Sequence, residues 1–228
     1  MANTVRRGRP IVVLSAWVAI VLAGCSTPPT APAANYRWVD IPIRFDYSLI
    51  APRYHHSQPD VTALRLFAIP GAIQGSDDGG PLADLRVQAG HAVLEMNTIQ
   101  TAIAVRARPL SRDAHAGGLR IEPPNTRLAR VAPMPLTLDY QMFGSGSRFE
   151  DADTGDGLIL AYFDRPCRLF GRLDGTGLKG ERLVSRFDVT VARPGLVWLE
   201  LVRSPDRHTF EINSVAVSAR PVFIDMPR

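Results

Sequence analysis

Residues 187–201 read FDVTVARPGLVWLEL, and this stretch decides the fold class. In its first half, apolar and polar residues alternate, which is the period of a strand with one buried face. Arg-Pro-Gly at 193–195 then turns the chain, and the apolar run 196–202 returns as a second strand with Trp198 in its middle. The pattern predicts an antiparallel hairpin whose Trp198 side chain lies in the protein core.

Short segments of similar character recur along the chain at roughly ten-residue spacing, as in all-β proteins. Residues 158–163 are apolar on both faces, which indicates a central strand. Residues 37–49 alternate and contain Pro42, which lacks an amide donor and favours a sheet edge. We therefore predict a mainly β fold, an antiparallel β-sandwich, with two β-rich subdomains as an open alternative. The 187–201 hairpin is similar to the strand-Pro-Gly-strand pattern of bacterial immunoglobulin-like and jelly-roll domains, which implies architecture but no function.

Residues 82–108 fit two patterns, one with helical spacing and one that alternates as in a strand. The helical set is Val93, Met96, Gln100 and Ile103, and the alternating set is Ile99, Thr101, Ile103 and Val105. We predict a strand near 85–89, followed in 91–107 by a strand pair or one short helix. The β-branched residues favour strand in the second half of this region.

The first 25 residues have the pattern of an export leader. Its basic head carries Arg6, Arg7 and Arg9 and no acidic residue. The apolar run 11–23 has the length of a signal-peptide core and is shorter than the about 20 residues of a membrane span. It ends in Leu-Ala-Gly-Cys at 22–25, which resembles the lipobox of a bacterial lipoprotein.

The lipobox resemblance implies cleavage before Cys25, diacylation of its thiol and acylation of the new amino terminus. Two or three acyl chains anchor a protein stably to a membrane, whereas one chain binds only marginally. The residue after Cys25 is Ser26 and not Asp, which resembles the pattern exported to the outer membrane. We therefore expect an outer-membrane lipoprotein that faces the periplasm, with exposure at the cell surface left open.

The leader and the Pro/Gly content suggest a division of the chain. Residues 26–35 hold three prolines and no large apolar side chain, so we expect a flexible tether. The predicted regions are a signal peptide at 1–24, the lipidated cysteine with its tether at 25–35, an N-terminal β-rich region at 36–110, a Pro/Gly-rich connection at 111–134 and a C-terminal β-sandwich domain at 135–226.

Charge and cysteine content limit the functional classes. The formal charge of +4 includes three arginines of the leader, and without them 23 basic and 22 acidic side chains remain, a net +1. This balance gives no reason to expect nucleic-acid binding. The chain has two cysteines, so lipidation of Cys25 leaves Cys167 without a disulfide partner. We predict that Cys167 is a buried, reduced thiol.

No catalytic motif is evident in the sequence. Residues 144–147, Gly-Ser-Gly-Ser, lack the spacing of a nucleophile elbow, and no nucleotide-binding glycine loop is present. His55 and His56 with Asp60 fit either part of a metal site or two solvated loop histidines. The sequence therefore favours a protein without catalysis, and no residue is predicted to be catalytic.

Residues 150–157 are the best candidate for a metal site. Asp151, Asp153 and Asp156 place three carboxylates in a short Gly-containing loop, and Ca²⁺ takes six to eight oxygen ligands. The segment resembles the start of an EF-hand loop, but Gly155 stands in place of the third acid and Tyr162 in place of the distal Glu. We expect either a weak calcium site or a solvated acidic turn.

These patterns favour a lipid-anchored envelope protein whose β domain binds an envelope protein. One alternative is a carbohydrate-binding module for a cell-wall or surface polysaccharide, with Tyr54, Trp38 or Phe149 as a stacking platform. Another is a hydrolase whose site is assembled from scattered residues. In each case the lipid anchor makes the membrane itself a partner.

Overall fold

The computed structural model describes residues 38–45, 61–73, 79–137, 148–176, 180–206, 208–213 and 218–225. Strands dominate these residues, so the predicted mainly β class is confirmed. The helices are α1 (Met96–Ala104) and α2 (Arg112–Ala116). The strands are β1 (Trp38–Phe45), β2 (Val61–Pro70), β3 (Gly80–Gln88), β4 (His91–Glu95), β5 (Arg108–Pro109), β6 (Leu119–Glu122), β7 (Arg127–Thr137), β8 (Arg148–Asp151), β9 (Gly157–Phe163), β10 (Cys167–Thr176), β11 (Arg182–Val191), β12 (Gly195–Arg203), β13 (Thr209–Ile212) and β14 (Pro221–Asp225).

Eight of these strands close into a barrel. They pair in the order β7-β2-β3-β4-β1-β14-β8-β9, and β9 pairs again with β7 to complete the circle. Within the barrel only β1 and β14 run parallel. A sandwich consists of two separate sheets, so the described residues do not clearly form the predicted antiparallel sandwich. They form a closed barrel with additional strands.

Strand β1 lies inside this barrel wall, between β4 and β14. The edge position that we predicted from Pro42 is therefore wrong. Pairing with β14 starts at Ile43, one residue after Pro42, so the ladder on that side does not need an amide donor from the proline.

Strand β9 joins the barrel to a second layer. One of its edges pairs with β12, and the other pairs first with β8 and then with β7. From β12 the sheet continues through β13, β11 and β10 to β6. Leu158 and Leu160 of β9 point into the barrel, whereas Ile159, Ala161 and Phe163 pack in a second core beneath the added strands. The strand is thus buried on both faces, as its sequence predicted.

Helix α1 lies across the barrel. It contacts both β4 and β9, which are opposite each other in the closed order of eight strands. Ile99 and Ile103, four residues apart on one helix face, are buried in the barrel core. Our preference for strand in the second half of 91–107 is therefore wrong, because these β-branched side chains are used at helical spacing.

The stretch 111–134 contains α2, β6 and most of β7. Helix α2 begins after Ser111, whose hydroxyl oxygen accepts a hydrogen bond from the Ala114 amide at 3.2 Å. Strand β6 pairs with β10 on one side and ends the described sheet. Its outward side chains, Arg120 and Glu122, are exposed.

Candidate functional site

The outer side of β1 and β4 carries the most unusual surface of the barrel. Ile41 and Leu94 are fully buried in the barrel core, so the residues that alternate with them point outward. The cross-strand register pairs Trp38 with Glu95, Asp40 with Val93, and Pro42 with His91. We call the surface formed by Trp38, Asp40, His91, Val93 and Glu95 the Trp38 face.

Two apolar side chains of the Trp38 face are strongly exposed. Trp38 is 54% exposed and Val93 is 51% exposed, and the register places them diagonally across two neighbouring strands. Within the described ranges, the only other exposed large apolar residue is Val105, just after α1. Single exposed apolar residues are ordinary, but adjacent ones rimmed by polar groups indicate an interaction site.

Polar groups surround Trp38 and Val93. The Nδ1 atom of His91 lies 3.0 Å from the nearer Asp40 carboxylate oxygen, and both side chains are exposed. Glu95 stands directly opposite Trp38 on β4. Extending the β3–β4 register by one residue from the pair Val87 and Ala92 puts Arg86 on the far side of Val93 from β1. The face thus combines an aromatic ring and an aliphatic side chain with hydrogen-bond acceptors.

Of the three aromatic residues proposed as a sugar platform, Trp38 and Phe149 do not share a surface. Phe149 is buried in the barrel core, where its ring makes an edge contact with Trp198 at 5.1 Å between centroids. Its assignment as an exposed residue is therefore wrong, because the alternation of β8 turns its ring inward. Tyr54 lies outside the described residues, and Trp38 is the member that is exposed.

The carboxylate of Asp151 is held by backbone amides within and beside its loop. One oxygen accepts from the amides of Asp153 at 2.8 Å and Thr154 at 3.3 Å, and the other accepts from the amide of Arg220 at 3.1 Å. Partial burial by itself would raise the pKa of Asp151, but these three amides and the charge of Arg220 outweigh it and lower the pKa. The carboxylate is thus satisfied as an anion.

Two other carboxylates near this loop, those of Glu150 and Asp153, pair with arginines. A guanidinium nitrogen of Arg220 lies 2.9 Å from the Asp153 carboxylate, and Arg148 pairs with Glu150. Arg148 is close to this loop in sequence, whereas Arg220 is 67 residues from Asp153 in the chain. No group of three or more potential metal-ligating side chains is found among the residues that the structure describes. Calcium binding by Asp151, Asp153 and Asp156 stays a prediction, with Arg220 as an alternative source of positive charge.

Cys167 is a free thiol buried in the second core, as the sequence predicted. Burial raises its pKa to about 11, and the nearby Asp164 carboxylate acts in the same direction. A thiol with this pKa is almost entirely protonated at neutral pH, so Cys167 is not a candidate nucleophile.

The remaining predicted site residues, Cys25, His55, His56 and Asp60, lie outside the described residues. Neither described helix has the length and hydropathy needed to cross a membrane. Comparison of the chain with protein-family models, curated proteins and solved structures gives no match. The functional interpretation therefore rests on the residues of this chain.

Proposed function

We propose that this protein is a lipid-anchored protein of the bacterial envelope whose β domain acts by binding rather than by catalysis. The anchor is proposed from the basic head, the apolar run and the Leu-Ala-Gly-Cys sequence at 22–25. Ser26 after the lipidated residue favours the outer membrane and a periplasmic orientation. The observation that carries the binding function is the exposure of Trp38 and Val93, which are diagonal neighbours on β1 and β4.

The energetics of the Trp38 face support a binding role. Removing apolar surface from water contributes about 25 cal/mol per Å², and the Trp38 and Val93 side chains leave half of their surface uncovered. Trp is also enriched among the residues that dominate interface energies, particularly where polar groups form a surrounding rim. Asp40, His91 and Glu95 provide such a rim.

Metabolic labelling with a fatty-acid probe tests the anchor. The native protein should incorporate the probe, and Cys25→Ala should leave an unlabelled, unprocessed precursor because the acylated thiol is missing. Cys167→Ala is the matched control, since it removes the other cysteine and should leave labelling unchanged. Labelling of Cys25→Ala would contradict the anchor.

Photo-crosslinking in intact cells tests the binding function. A photoreactive residue at position 93 should give a covalent adduct with whatever covers the Trp38 face. The same residue at position 105 is the matched control, since Val105 is exposed but lies beyond α1. Equal yields at 93 and 105 would contradict a specific role for this face.

One alternative function has an observation in its favour. The exposed Trp38 ring is flanked by the Asp40 and Glu95 carboxylates, which could accept hydrogen bonds from sugar hydroxyls while the ring stacks on the sugar. This arrangement would suit a carbohydrate-binding module for a neutral polysaccharide. A titration with soluble polysaccharide should then change Trp38 fluorescence. The hydrolase alternative finds no such support among the described residues.

The sandwich architecture is also kept as a proposal for the C-terminal part of the chain. Strands β6, β10, β11 and β13 contribute buried residues to the second core, opposite the outward residues of β9 and the Leu199 side chain of β12. Two sheet surfaces that share one apolar layer are the basic arrangement of a sandwich. An experimental structure would decide whether this layer has an immunoglobulin-like or jelly-roll-like order.

A further inference from the structure

We propose that the Trp38 face docks on the lipid headgroup surface of the membrane that holds the Cys25 anchor. The inference rests on the proposed anchor and goes beyond it, because it assigns the folded domain a second contact with the membrane. It also names the occupant of the Trp38 face as a layer of zwitterionic headgroups.

The position of Trp38 in the chain is the first argument. Trp38 is the first described residue and lies in the first strand, and twelve residues separate it from Cys25. A fully extended tether of this length reaches about 45 Å, and a flexible one has a typical end-to-end distance of about 20 Å. The chain therefore enters the fold at the Trp38 face, close to the lipid surface. At such short range even a weak membrane contact is favoured, since tethering gives effective concentrations in the millimolar range.

The chemistry of the two exposed apolar residues is the second argument. The Trp ring is amphipathic and is enriched at the level of lipid headgroups, where its apolar body and its N–H group are both satisfied. Val93 extends the apolar area next to Trp38 on the neighbouring strand. Both side chains stand on the outer wall of the barrel, so they can reach a surface without any rearrangement of the core.

The carboxylates beside Trp38 indicate the type of headgroup. Glu95 has no ion-pair partner among the described residues, and Asp40 interacts with His91, whose ring is exposed. Two carboxylates would attract the ammonium group of an ethanolamine lipid, and the Trp38 ring can also attract such a cation. The same carboxylates would be repelled by anionic headgroups, so zwitterionic lipids should be preferred. Arg86 lies on the other side of Val93 from β1.

Tryptophan fluorescence in vesicles gives a direct test. The lipidated full-length protein would be reconstituted into vesicles of phosphatidylethanolamine and phosphatidylcholine, with or without bromine on the acyl chains. After removal of the leader, the tryptophans are Trp38 and Trp198, and Trp198 is shielded in the core at 8% exposure. Docking predicts that bromine quenches the Trp38 emission, and that Trp38→Phe removes the quenched component while the Trp198 emission persists.

Two matched variants and one change of lipid sharpen the test. Val93→Ser should reduce quenching. Val105, at the far end of α1, is even more exposed than Val93, and Val105→Ser should leave quenching unchanged. Raising the fraction of phosphatidylglycerol should also reduce quenching, because the Asp40 and Glu95 carboxylates would be repelled.

Flotation measures whether the protein is bound to the vesicles, and it therefore distinguishes failure of the docking from failure of the anchor. Protein that floats with the vesicles while Trp38 emission is equal in brominated and plain lipid overturns the docking and leaves the anchor intact. Protein that does not float overturns the anchor, and the docking with it. Iodide in solution quenches the fluorescence of exposed tryptophan. If a soluble polysaccharide or protein shields Trp38 from iodide and lipid vesicles do not, the face binds that partner and the docking is overturned.

Discussion

The outer wall of the barrel differs between its two opposite sides. On the β9 side, the outward residues are apolar and are covered by the second layer of strands. On the side of β4 and β1, the outward residues are mostly polar, and Trp38 and Val93 are about half exposed among the described residues. Both sides belong to one closed sheet, so the difference lies in the side chains and in what packs on them.

This comparison separates two uses of outward apolar residues. Where the chain supplies its own cover, as over β9, apolar residues build a core and stabilise the fold. Where the described chain supplies none, as at Trp38, an apolar residue contributes little to folding and is available to something else. The predictions below test this distinction, in order of decreasing expected effect.

Replacing Trp198 should change the free energy of unfolding much more than replacing Trp38, because Trp198 lies in the core and Trp38 on the surface. Trp198→Ala should lower the free energy of unfolding by about 3–5 kcal/mol, because it leaves a cavity beside Phe149 in the barrel core. Trp38→Ala should change it by no more than about 0.5 kcal/mol, as for other surface substitutions. Denaturant unfolding of both variants measures this difference. A Trp38→Ala effect as large as that of Trp198→Ala would mean that the chain itself covers the Trp38 face.

The second layer should protect Cys167 from modification. A shift of its pKa from 9.0 to about 11 lowers the thiolate fraction at pH 8 by about 100-fold, so labelling of the folded protein should be slow and that of unfolded protein fast. Timed alkylation with and without denaturant measures the ratio. Rapid labelling of the native protein would mean that the cover over β9 opens readily.

The same pKa shift predicts a dependence of stability on alkaline pH. The folded state keeps the Cys167 proton up to about pH 11, whereas the unfolded state loses it near pH 9.0. The contribution to stability is therefore complete below pH 9 and is lost as the pH rises toward 11. Cys167→Ala should remove this part of the pH dependence, and an unchanged profile would contradict the assignment.

The stability contributed by the loop between β8 and β9 should depend on the Asp151 carboxylate rather than on the total charge of the loop. Asp151→Ala should lower the free energy of unfolding by about 1–3 kcal/mol, because three amides lose a charged acceptor. Asp156→Ala is the matched control and should have little effect.

Acid titration of stability provides a further check on Asp151. Its pKa is lowered in the folded state, so its contribution is present above the ordinary value near 3.8 and is lost as the pH falls through the folded value. The loss should be visible in the native protein and absent from Asp151→Ala.

Calcium should have the smallest effect on stability among the changes considered. A weak site with Kd of about 10⁻⁴–10⁻³ M would stabilise the protein by about 0.4–1.4 kcal/mol in millimolar calcium. Because Arg220 lies on the Asp153 carboxylate, Arg220→Ala should increase the calcium-dependent rise of the melting temperature. Equal melting temperatures with calcium and with chelator, in the native protein and in this variant, would leave the loop as an acidic turn without a metal.

Local sequence patterns predicted those parts of the fold that depend on local periodicity. The apolar run at 158–163 predicted a strand buried on both faces, and the apolar run at 196–202 predicted Trp198 in the core. The predicted 187–201 hairpin is wrong, because β13 lies between β11 and β12 in the sheet and β12 pairs with β9 and β13 instead. Helix α1 was one of two alternatives for 91–107 and not the preferred one, because the ends of this helix carry few capping signals. Glu95 at its N-cap makes no side-chain capping bond, and the helix has no acidic residue in its first turn and no basic residue in its last.

Other features depend on contacts that are distant in sequence. Barrel closure requires β1 to pair with β14, which joins Ile43 to Phe223. The arginine beside Asp153 comes from residue 220, and alternation alone could not separate the buried Phe149 from the exposed Trp38. Each of these depends on which strands become neighbours, and the spacing of apolar residues does not encode that information.

Strand β6, where the described sheet ends, affects how copies of this protein interact at high concentration. A strand with an unpaired side is a template on which a second chain can add, and this is a common start of aggregation. The four-residue strand β6 offers a short template, its outward side chains Arg120 and Glu122 are charged, and two prolines follow it directly. Barrel closure removes the free sides of the strands in the circle. Neighbouring copies of the folded domain should therefore resist strand exchange and remain separate folded units, including at the high local density that the proposed lipid anchor would give.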